Sequence, residues 1–234
     1  MSRSQATSRG RKISAIALAS LGAVAAVVIT GCSRGSGKAA DEDHGSAVAQ
    51  VCGGFVEEAP TEAALEVVMG TERFTDDLSE PERALEALRE AARTEQADVS
   101  RTQAIPYCWL LSAGGGKQDL RVELRTAAEA PAPDPRLGDQ VSSFTSGERA
   151  FASVSRGKVY FNCRLGAPGH EILVDTTVRG PAGSQEPGRD HRTRLITLAN
   201  AAARHVSAAL GCEGDRLAPG VPAPAASTSG GAGR

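Results

Sequence analysis

The sequence predicts an α+β domain, in which an antiparallel sheet of about five strands is covered on one face by helices and held by two disulfides. Three observations predict it: helical spacing of apolar residues near both ends of the central region, alternation of apolar and polar residues between them, and four cysteines on segments of both kinds. Helices, then a run of strands, then a helix are expected when helices cover one face of an antiparallel sheet.

Composition divides the 234 residues into four parts. Residues 1–31 are expected to form an export signal, and residues 32–46 a flexible tether. The α+β domain is expected over residues 47–214, long enough to bury roughly 70% of its unfolded surface. Residues 215–234 are rich in Pro, Ala, Gly and Ser, which predicts a disordered tail.

Two helices are predicted at the start of the domain. The first rests on apolar residues at i, i+3, i+4, i+7 and i+8, which are Val48, Val51, Cys52, Phe55 and Val56. Gly53 and Gly54 weaken it and favour an early end. The second fits residues 61–69, where Gly70 provides a C-terminal stop.

A third helix follows Ser79, which is its predicted N-cap, with Pro81 in the first turn and Glu82 completing a capping box. Its buried stripe is expected to contain Leu85, Leu88, Ala92 and Val99. A last helix is predicted over residues 191–210, where Gly211 ends it.

Strands are predicted between these helices. Apolar and alternating segments cover residues 105–111, 120–125, 149–154, 158–164 and 171–178. Gly114-Gly115-Gly116 predicts the turn after the first strand, and Arg156-Gly157 predicts a hairpin between the third and fourth.

Cys52, Cys108, Cys163 and Cys212 form an even set, which suits two disulfides in an oxidising compartment. Four cysteines allow three pairings. We favour Cys52–Cys108 and Cys163–Cys212, because each bridge would tie a helix to a strand within one half of the domain.

Residues 1–31 have the layout of a secretory signal. Arg3, Arg9, Arg11 and Lys12 precede an uncharged stretch over residues 13–31. A single membrane span is the alternative, but the many Ala, Gly and Ser residues favour a cleaved signal.

Ile29-Thr30-Gly31-Cys32 resembles the lipobox of bacterial lipoproteins. The resemblance implies cleavage before Cys32, a diacylglyceryl group with acyl chains such as palmitate on its sulfur, and anchoring at the extracytoplasmic face of the cell membrane. With the Cys108-Trp109 strand and the order of elements, the chain resembles small actinobacterial cell-envelope lipoproteins of unknown function.

The net charge of the chain bears on the kinds of partner that it can bind. Loss of residues 1–31 removes four positive charges and no negative ones, so the formal net charge falls from −2 to −6. This net charge argues against nucleic acid as a partner, because nucleic-acid binding needs a basic footprint. The expected partners are the membrane, through the lipid anchor, and an unknown envelope protein or small ligand.

The sequence contains no recognised catalytic, metal-binding or cofactor-binding motif, so no such residue or cofactor is predicted. We therefore favour a non-enzymatic ligand- or partner-binding module. One alternative is a cell-envelope enzyme with an unrecognised site, which needs convergent titratable groups in a cleft and would be favoured by His170 or His205 beside a carboxylate there. The other is a structural or assembly lipoprotein.

One surface is suggested by strand parity. If Cys108, Val122 and Phe161 face the helices, the opposite face presents a binding surface made of Tyr107, Trp109, Arg121, Arg125 and Tyr160. Aromatic and Arg side chains are enriched at binding hot spots. The alternatives are an ordinary amphipathic sheet face or a second core layer under long loops.

Overall fold

One antiparallel sheet organises the fold. The computed structural model describes residues 45–93, 103–113, 118–132, 135–137, 140–166, 170–181 and 188–226. Its strands are β1 (Ser46–Ala47), β2 (Arg73–Thr75), β3 (Ile105–Ser112), β4 (Asp119–Ala127), β5 (Ser142–Thr145), β6 (Arg149–Ala152), β7 (Arg156–Arg164), β8 (Glu171–Arg179) and β9 (Ala223–Pro224). They pair in the order β1-β2-β3-β4-β8-β7-β6-β5-β9.

The α+β class is confirmed, but the sheet is larger than the five strands predicted. The predicted strands correspond to β3, β4, β6, β7 and β8. The additional strands contain only two to four residues each, which is too short for an alternating pattern to be recognised.

The described helices lie on one face of the sheet. They are α1 (Ala59–Met69), α2 (Pro81–Arg93) and α3 (Arg189–Leu210). α3 packs on β7 and β8, α2 packs on β3 and β4, and α1 packs on α3. A Cβ atom on Gly157 would lie only 2.3 Å from the Leu195 carbonyl oxygen, so glycine allows α3 to approach β7 closely.

The prediction that the domain begins with a regular α-helix is wrong. Val48–Gly54 forms a kinked 3₁₀ segment, in which φ is positive at Cys52, Gly53 and Gly54. Glycine adopts such angles readily, which explains why the helix breaks at this pair. The apolar face is nevertheless buried, since Val51 and Val56 have no exposed surface.

α2 begins after Glu80 rather than after Ser79. The first backbone hydrogen bond of the helix runs from Ala84 N to Glu80 O, at 3.1 Å. The Ser79 hydroxyl instead accepts a hydrogen bond from Trp109 N, at 2.9 Å, so it connects the helix entry to β3. The expected stripe residues Leu85, Leu88 and Ala92 are buried, and Val99 lies outside the described residues.

The hairpin between β6 and β7 turns slightly earlier than predicted. Ser153 N donates to Arg156 O at 2.8 Å, so Arg156 and Gly157 already belong to β7. α1 and α3 end as predicted, with Gly70 and Gly211 in the left-handed conformation. The predicted turn at residues 114–116 lies outside the described residues.

Both preferred disulfides are confirmed. Cys52 bonds to Cys108, which ties the kinked 3₁₀ segment to β3. Cys163 bonds to Cys212, which ties β7 to the residue after the last turn of α3. Each bridge therefore joins the helical layer to the sheet.

The prediction that residues 215–234 are disordered is wrong for the first part of this segment, which contains β9. β9 pairs with β5, and Ala218 and Gly220 are bonded to α3. The fully buried Asn200 amide donates to the Ala218 and Gly220 carbonyl oxygens, at 2.8 Å each. Backbone pairing and a buried side-chain anchor thus order a segment whose composition alone predicts disorder.

No described helix has the length and apolar character needed to cross a membrane. Residues 1–31, Cys32 and most of the predicted tether lie outside the described residues.

Candidate functional site

The face of the sheet opposite the helices is the candidate binding site, and we call it the open face. It is formed by the outward-pointing residues of β3, β4, β8, β7 and β6, which are in register across the sheet. Successive side chains in a strand point to opposite faces, so the apolar inward residues are buried while most outward ones are partly exposed.

A buried carboxylate lies at the centre of the open face. Asp175 has no exposed surface, although it points away from the helices. Its Oδ2 atom lies 2.7 Å from Arg125 Nη2 and 3.0 Å from Lys158 Nζ, and Thr177 Oγ1 donates to its Oδ1 atom at 2.8 Å. Two cations therefore share one carboxylate, which leaves the cluster with a net positive charge.

These contacts also determine which form of the carboxyl group is stable. Burial raises the pKa of Asp175, but the Lys158 charge and the hydrogen bonds from Thr177, Lys158 and Arg125 outweigh it, so the pKa lies below its ordinary value. The hydrogen bond from Arg125 to Asp175 in turn raises the pKa of Arg125. The cluster is thus fixed in its charged form at neutral pH.

Tyr160 points to the open face as predicted, but it is covered rather than presented. It is 3% exposed, because it stacks on Phe151 with ring centroids 6.0 Å apart and accepts a hydrogen bond from Lys158 Nζ at 3.3 Å. Burial and the Asp175 charge raise the pKa of Tyr160 to about 12. Tyr160 thus contacts the charged cluster through Lys158.

A row of arginines crosses the open face beside this cluster. Trp109, Arg121, Arg179 and Arg156 are paired residue by residue across β3, β4, β8 and β7. The Arg121 guanidinium lies 3.8 Å from the centre of the Trp109 ring, which is a cation–π contact. We call Arg121, Arg179 and Arg156 the arginine row.

Two carboxylates partly neutralise the row. Arg121 Nε lies 2.9 Å from Asp119 Oδ2, and Arg179 Nε lies 2.8 Å from Glu123 Oε2. The outward positions of β4, β8, β7 and β6 carry seven cations and four carboxylates, namely Arg121, Arg125, Arg149, Arg156, Lys158, Arg164 and Arg179 against Asp119, Glu123, Glu171 and Asp175. The open face is therefore basic on a chain whose net charge is −2.

The outward orientation expected for Tyr107 is wrong. The β3–β4 register shifts between Pro106 and Cys108, so Tyr107 is an extra residue in a β-bulge and the alternation of faces is interrupted there. Tyr107 is 1% exposed, and its ring lies 6.4 Å from the His205 ring of α3. It therefore belongs to the core beneath the helices.

Trp109, Arg121 and Arg125 do lie on the open face, together with the covered Tyr160. Sequence reasoning missed Lys158, Asp175 and the remainder of the arginine row. Parity alone places Asp175 opposite the apolar residues of β8, but the pairing of β8 with both β4 and β7 was needed to bring it beside Arg125 and Lys158.

A separate cavity of about 460 Å³ lies on the helical side, between the kinked 3₁₀ segment, α3 and the residues after it. Its wall contains His205 together with Glu57, Glu58 and Asp215. Glu58 forms an ion pair with Arg204, at 2.6 Å. The cavity thus places a histidine in one cleft with carboxylates, which is an arrangement that favours the enzyme alternative.

Among the described residues that line the cavity, no arrangement would activate a serine. The Ser207 hydroxyl donates its proton to Asp215 Oδ2, and Leu217 N donates to the other oxygen of the same carboxylate. Ser207 and His205 are two residues apart on one helix, where side chains do not face each other. His170 and His191 are elsewhere, and His191 Nε2 lies 3.0 Å from the Val154 carbonyl oxygen.

Comparison with known proteins adds no template for either site. No protein-family model matches the chain, and no curated protein or solved structure matches it significantly.

Proposed function

We propose that this chain is a lipoprotein of a bacterial cell envelope, attached by lipid on Cys32 to the extracytoplasmic face of the membrane, and that its domain binds a partner through the open face. The proposal for the anchor is supported by the residues Ile29-Thr30-Gly31-Cys32 and by the use of the other four cysteines in two disulfides. Disulfides of this kind persist in oxidising compartments outside the cytosol.

Lipidation is tested with Cys32→Ala in a bacterial host fed an alkyne-bearing palmitate analogue. The wild-type chain should take up the label and sediment with membranes, since two acyl chains give stable anchoring. Cys32→Ala should lose the label. The matched control is the double variant Cys52→Ala/Cys108→Ala, which loses a bridge but keeps Cys32. A Cys32→Ala chain that stays labelled would reject the lipid anchor.

The arginine row is the observation that supports a binding role. Three arginines lie directly opposite one another on adjacent strands, although like charges in that arrangement destabilise a sheet. Because this repulsion does not help the sheet to fold, the presence of the three arginines is better explained by the binding of a partner. Arg and Trp are also side chains that concentrate at binding hot spots.

The binding role is tested by photo-cross-linking in intact cells. A photoreactive amino acid at Asn162 should give a discrete cross-linked product, because Asn162 is an outward residue of β7 on the open face and its replacement leaves the arginine row intact. The control position is Val67 on α1, which is 56% exposed on the helical side. Equal products from both positions, or none from Asn162, would reject the open face as the binding site.

An envelope enzyme remains the second candidate, favoured only by the cavity that contains His205 and Glu57. A reaction that used this pair would lose its rate in His205→Gln and Glu57→Gln variants. It would keep its rate when the arginine row is replaced, which separates the two candidates.

A further inference from the structure

We infer that the partner presents an acidic segment of a protein to the open face, where the arginine row binds its carboxylates and Trp109 forms the end of the contact. This inference rests on the proposed binding role of the open face and adds the chemistry of the partner.

The first argument is that the row retains capacity to bind anions. The ion pairs to Asp119 and Glu123 use the Nε atoms of Arg121 and Arg179. The two arginine side chains remain 45% and 39% exposed, and each guanidinium carries five N–H donors. The terminal nitrogens are therefore available for bidentate bonds to further carboxylates.

Arg156 is the most available member of the row. It is exposed at the start of β7, and it forms no ion pair with any residue that the structure describes. Strands in a sheet are about 4.8 Å apart, so Arg121 and Arg156 are attached roughly 10 Å from each other. An extended segment with acidic side chains on one face can bridge this distance.

The second argument is that the surface beside the row is rigid. Asp175 and Tyr160 are almost fully enclosed, Lys158 is held by both of them, and Arg121 is stacked on Trp109. Side chains already held in place lose less conformational entropy on binding. The open face is thus organised before a partner arrives.

The third argument favours a protein over a uniform polyanion. Asp119, Glu123 and Glu171 lie among the cations, and a polymer with a negative charge on every unit would be repelled by each of them. A peptide can place acidic residues over the arginines and neutral ones over the carboxylates. Trp109 adds an aromatic side chain of the kind enriched at protein interfaces.

The test uses the mature chain and a fluorescein-labelled ten-residue peptide of alternating Glu and Ser, followed by anisotropy at low salt. The variant Arg121→Gln/Arg156→Gln/Arg179→Gln should weaken binding at least tenfold. A matched triple variant on α2, Arg83→Gln/Arg89→Gln/Arg93→Gln, removes the same charge and should change it less than twofold. A second readout is Trp109 emission, which should change when the peptide is added to the wild-type chain or to the α2 variant, and should stay unchanged when it is added to the arginine-row variant.

Three results would overturn the inference. Equal weakening by the two triple variants would indicate attraction to net charge alone. Tighter binding of sodium polyphosphate than of the peptide, lost with the same arginines, would identify a polyanion as the ligand. A change in Trp109 emission on Asp41→Asn/Glu42→Gln/Asp43→Asn substitution, without peptide, would identify the chain's own tether as the occupant.

The outcomes also separate this inference from the proposed function. If the Asn162 cross-link forms in cells but the acidic peptide fails to bind, the open face remains a binding site and only the acidic partner is rejected. If the peptide binds the row but no cross-link forms in cells, the proposed binding role itself is rejected. The arginine-row variant should unfold at a temperature close to that of wild type, because the repulsion that it removes offsets the loss of two exposed ion pairs and the contact with Trp109.

Discussion

Arg125 and Asp175 lie directly opposite each other on β4 and β8, and Arg125 Nη2 is 2.7 Å from Asp175 Oδ2. The same oxygen is 3.0 Å from Lys158 Nζ of β7. One buried carboxylate therefore links three neighbouring strands on the face that the helices leave uncovered. Removal of one partner from a buried ion pair leaves an uncompensated charge, which costs free energy. We therefore expect this cluster to contribute to the stability of the fold.

The first prediction concerns Asp175→Asn. The substitution removes the only acidic partner of Lys158 among the described residues, so we expect the free energy of unfolding to fall by about 2 kcal/mol. This is below the usual range for a buried pair, since the Arg125 side chain is 43% exposed and solvent screens it. Urea unfolding at pH 7 measures the loss.

The control for this prediction is Asp119→Asn, whose pair with Arg121 is exposed and should contribute less than about 1 kcal/mol. The difference between Asp175→Asn and wild type should also depend on pH. The pKa of Asp175 is lowered from 3.8 in the folded state, so its stabilisation is present above that pH and is lost as the pH falls further. A difference that is unchanged at pH 2 would contradict the assignment.

The second prediction concerns the two tyrosines, which are the only ones in the chain. Burial raises the pKa of Tyr107 to about 12, with a smaller effect of Glu82, and Tyr160 also reaches about 12. Absorbance at 295 nm should therefore show little tyrosinate at pH 10 in the folded domain. The chain unfolded in urea should be half ionised there, which is the control.

The sign of the stability effect follows from these raised values. Below pH 10 both tyrosines are neutral in the folded and unfolded states, and their contribution to stability is fully present. Between pH 10 and about 12 the unfolded chain ionises first, so stability should decline as the pH rises. A tyrosine that ionises with the unfolded control would mean that it is exposed.

The long helices and strands could be predicted from the sequence, whereas the short strands could not. The periodicity of α3 and the alternation of β4 extend over many residues, so both were predictable. Tyr107 was misplaced because a single inserted residue in β3 reverses the parity argument, and no local sequence signal marks the bulge. The cluster at Asp175 depended on strand order, which is a long-range property.

The same distinction explains the C-terminal segment. Its Pro, Ala and Gly content predicts disorder, because the segment has little apolar surface to bury. The segment is nevertheless ordered by Asn200 of α3, whose amide bonds to carbonyl groups 18 and 20 residues later in the chain. An amide side chain among the apolar residues of this helix was the available signal, since buried polar groups need specific partners.

The third prediction concerns Gly157→Ala. An added methyl group would lie 2.3 Å from the Leu195 carbonyl oxygen and 2.7 Å from its carbon, which are backbone atoms of α3 and cannot rotate away. We expect a loss of about 3 kcal/mol or more in the free energy of unfolding, since α3 must shift from β7. Thermal or urea unfolding measures it.

Gly166→Ala is the matched control, because no heavy atom of the described residues, its chain neighbours aside, lies within 4 Å of the added Cβ atom. It should change stability by no more than about 0.5 kcal/mol. Equal losses in the two variants would mean that backbone entropy, rather than the contact with α3, explains the requirement for glycine at position 157.

The last prediction concerns Asn200→Leu, which replaces a buried amide with an apolar side chain of similar size. The Ser146 hydroxyl and the Ala218 and Gly220 carbonyl groups would each lose a partner, so we expect stability to fall by about 2–3 kcal/mol. The segment after α3 should also detach more often, which frees the backbone at the exposed residue Arg216 for cleavage by trypsin. Thr193→Ala is the control, because among the described residues its hydroxyl bonds only to Arg189 O, on the exposed surface of the same helix, at 3.0 Å.

Rapid cleavage after Arg216 in Asn200→Leu, with slow cleavage in wild type and Thr193→Ala, is the expected pattern. Slow cleavage in all three proteins would mean that β9 pairing with β5, rather than Asn200, holds the segment in place.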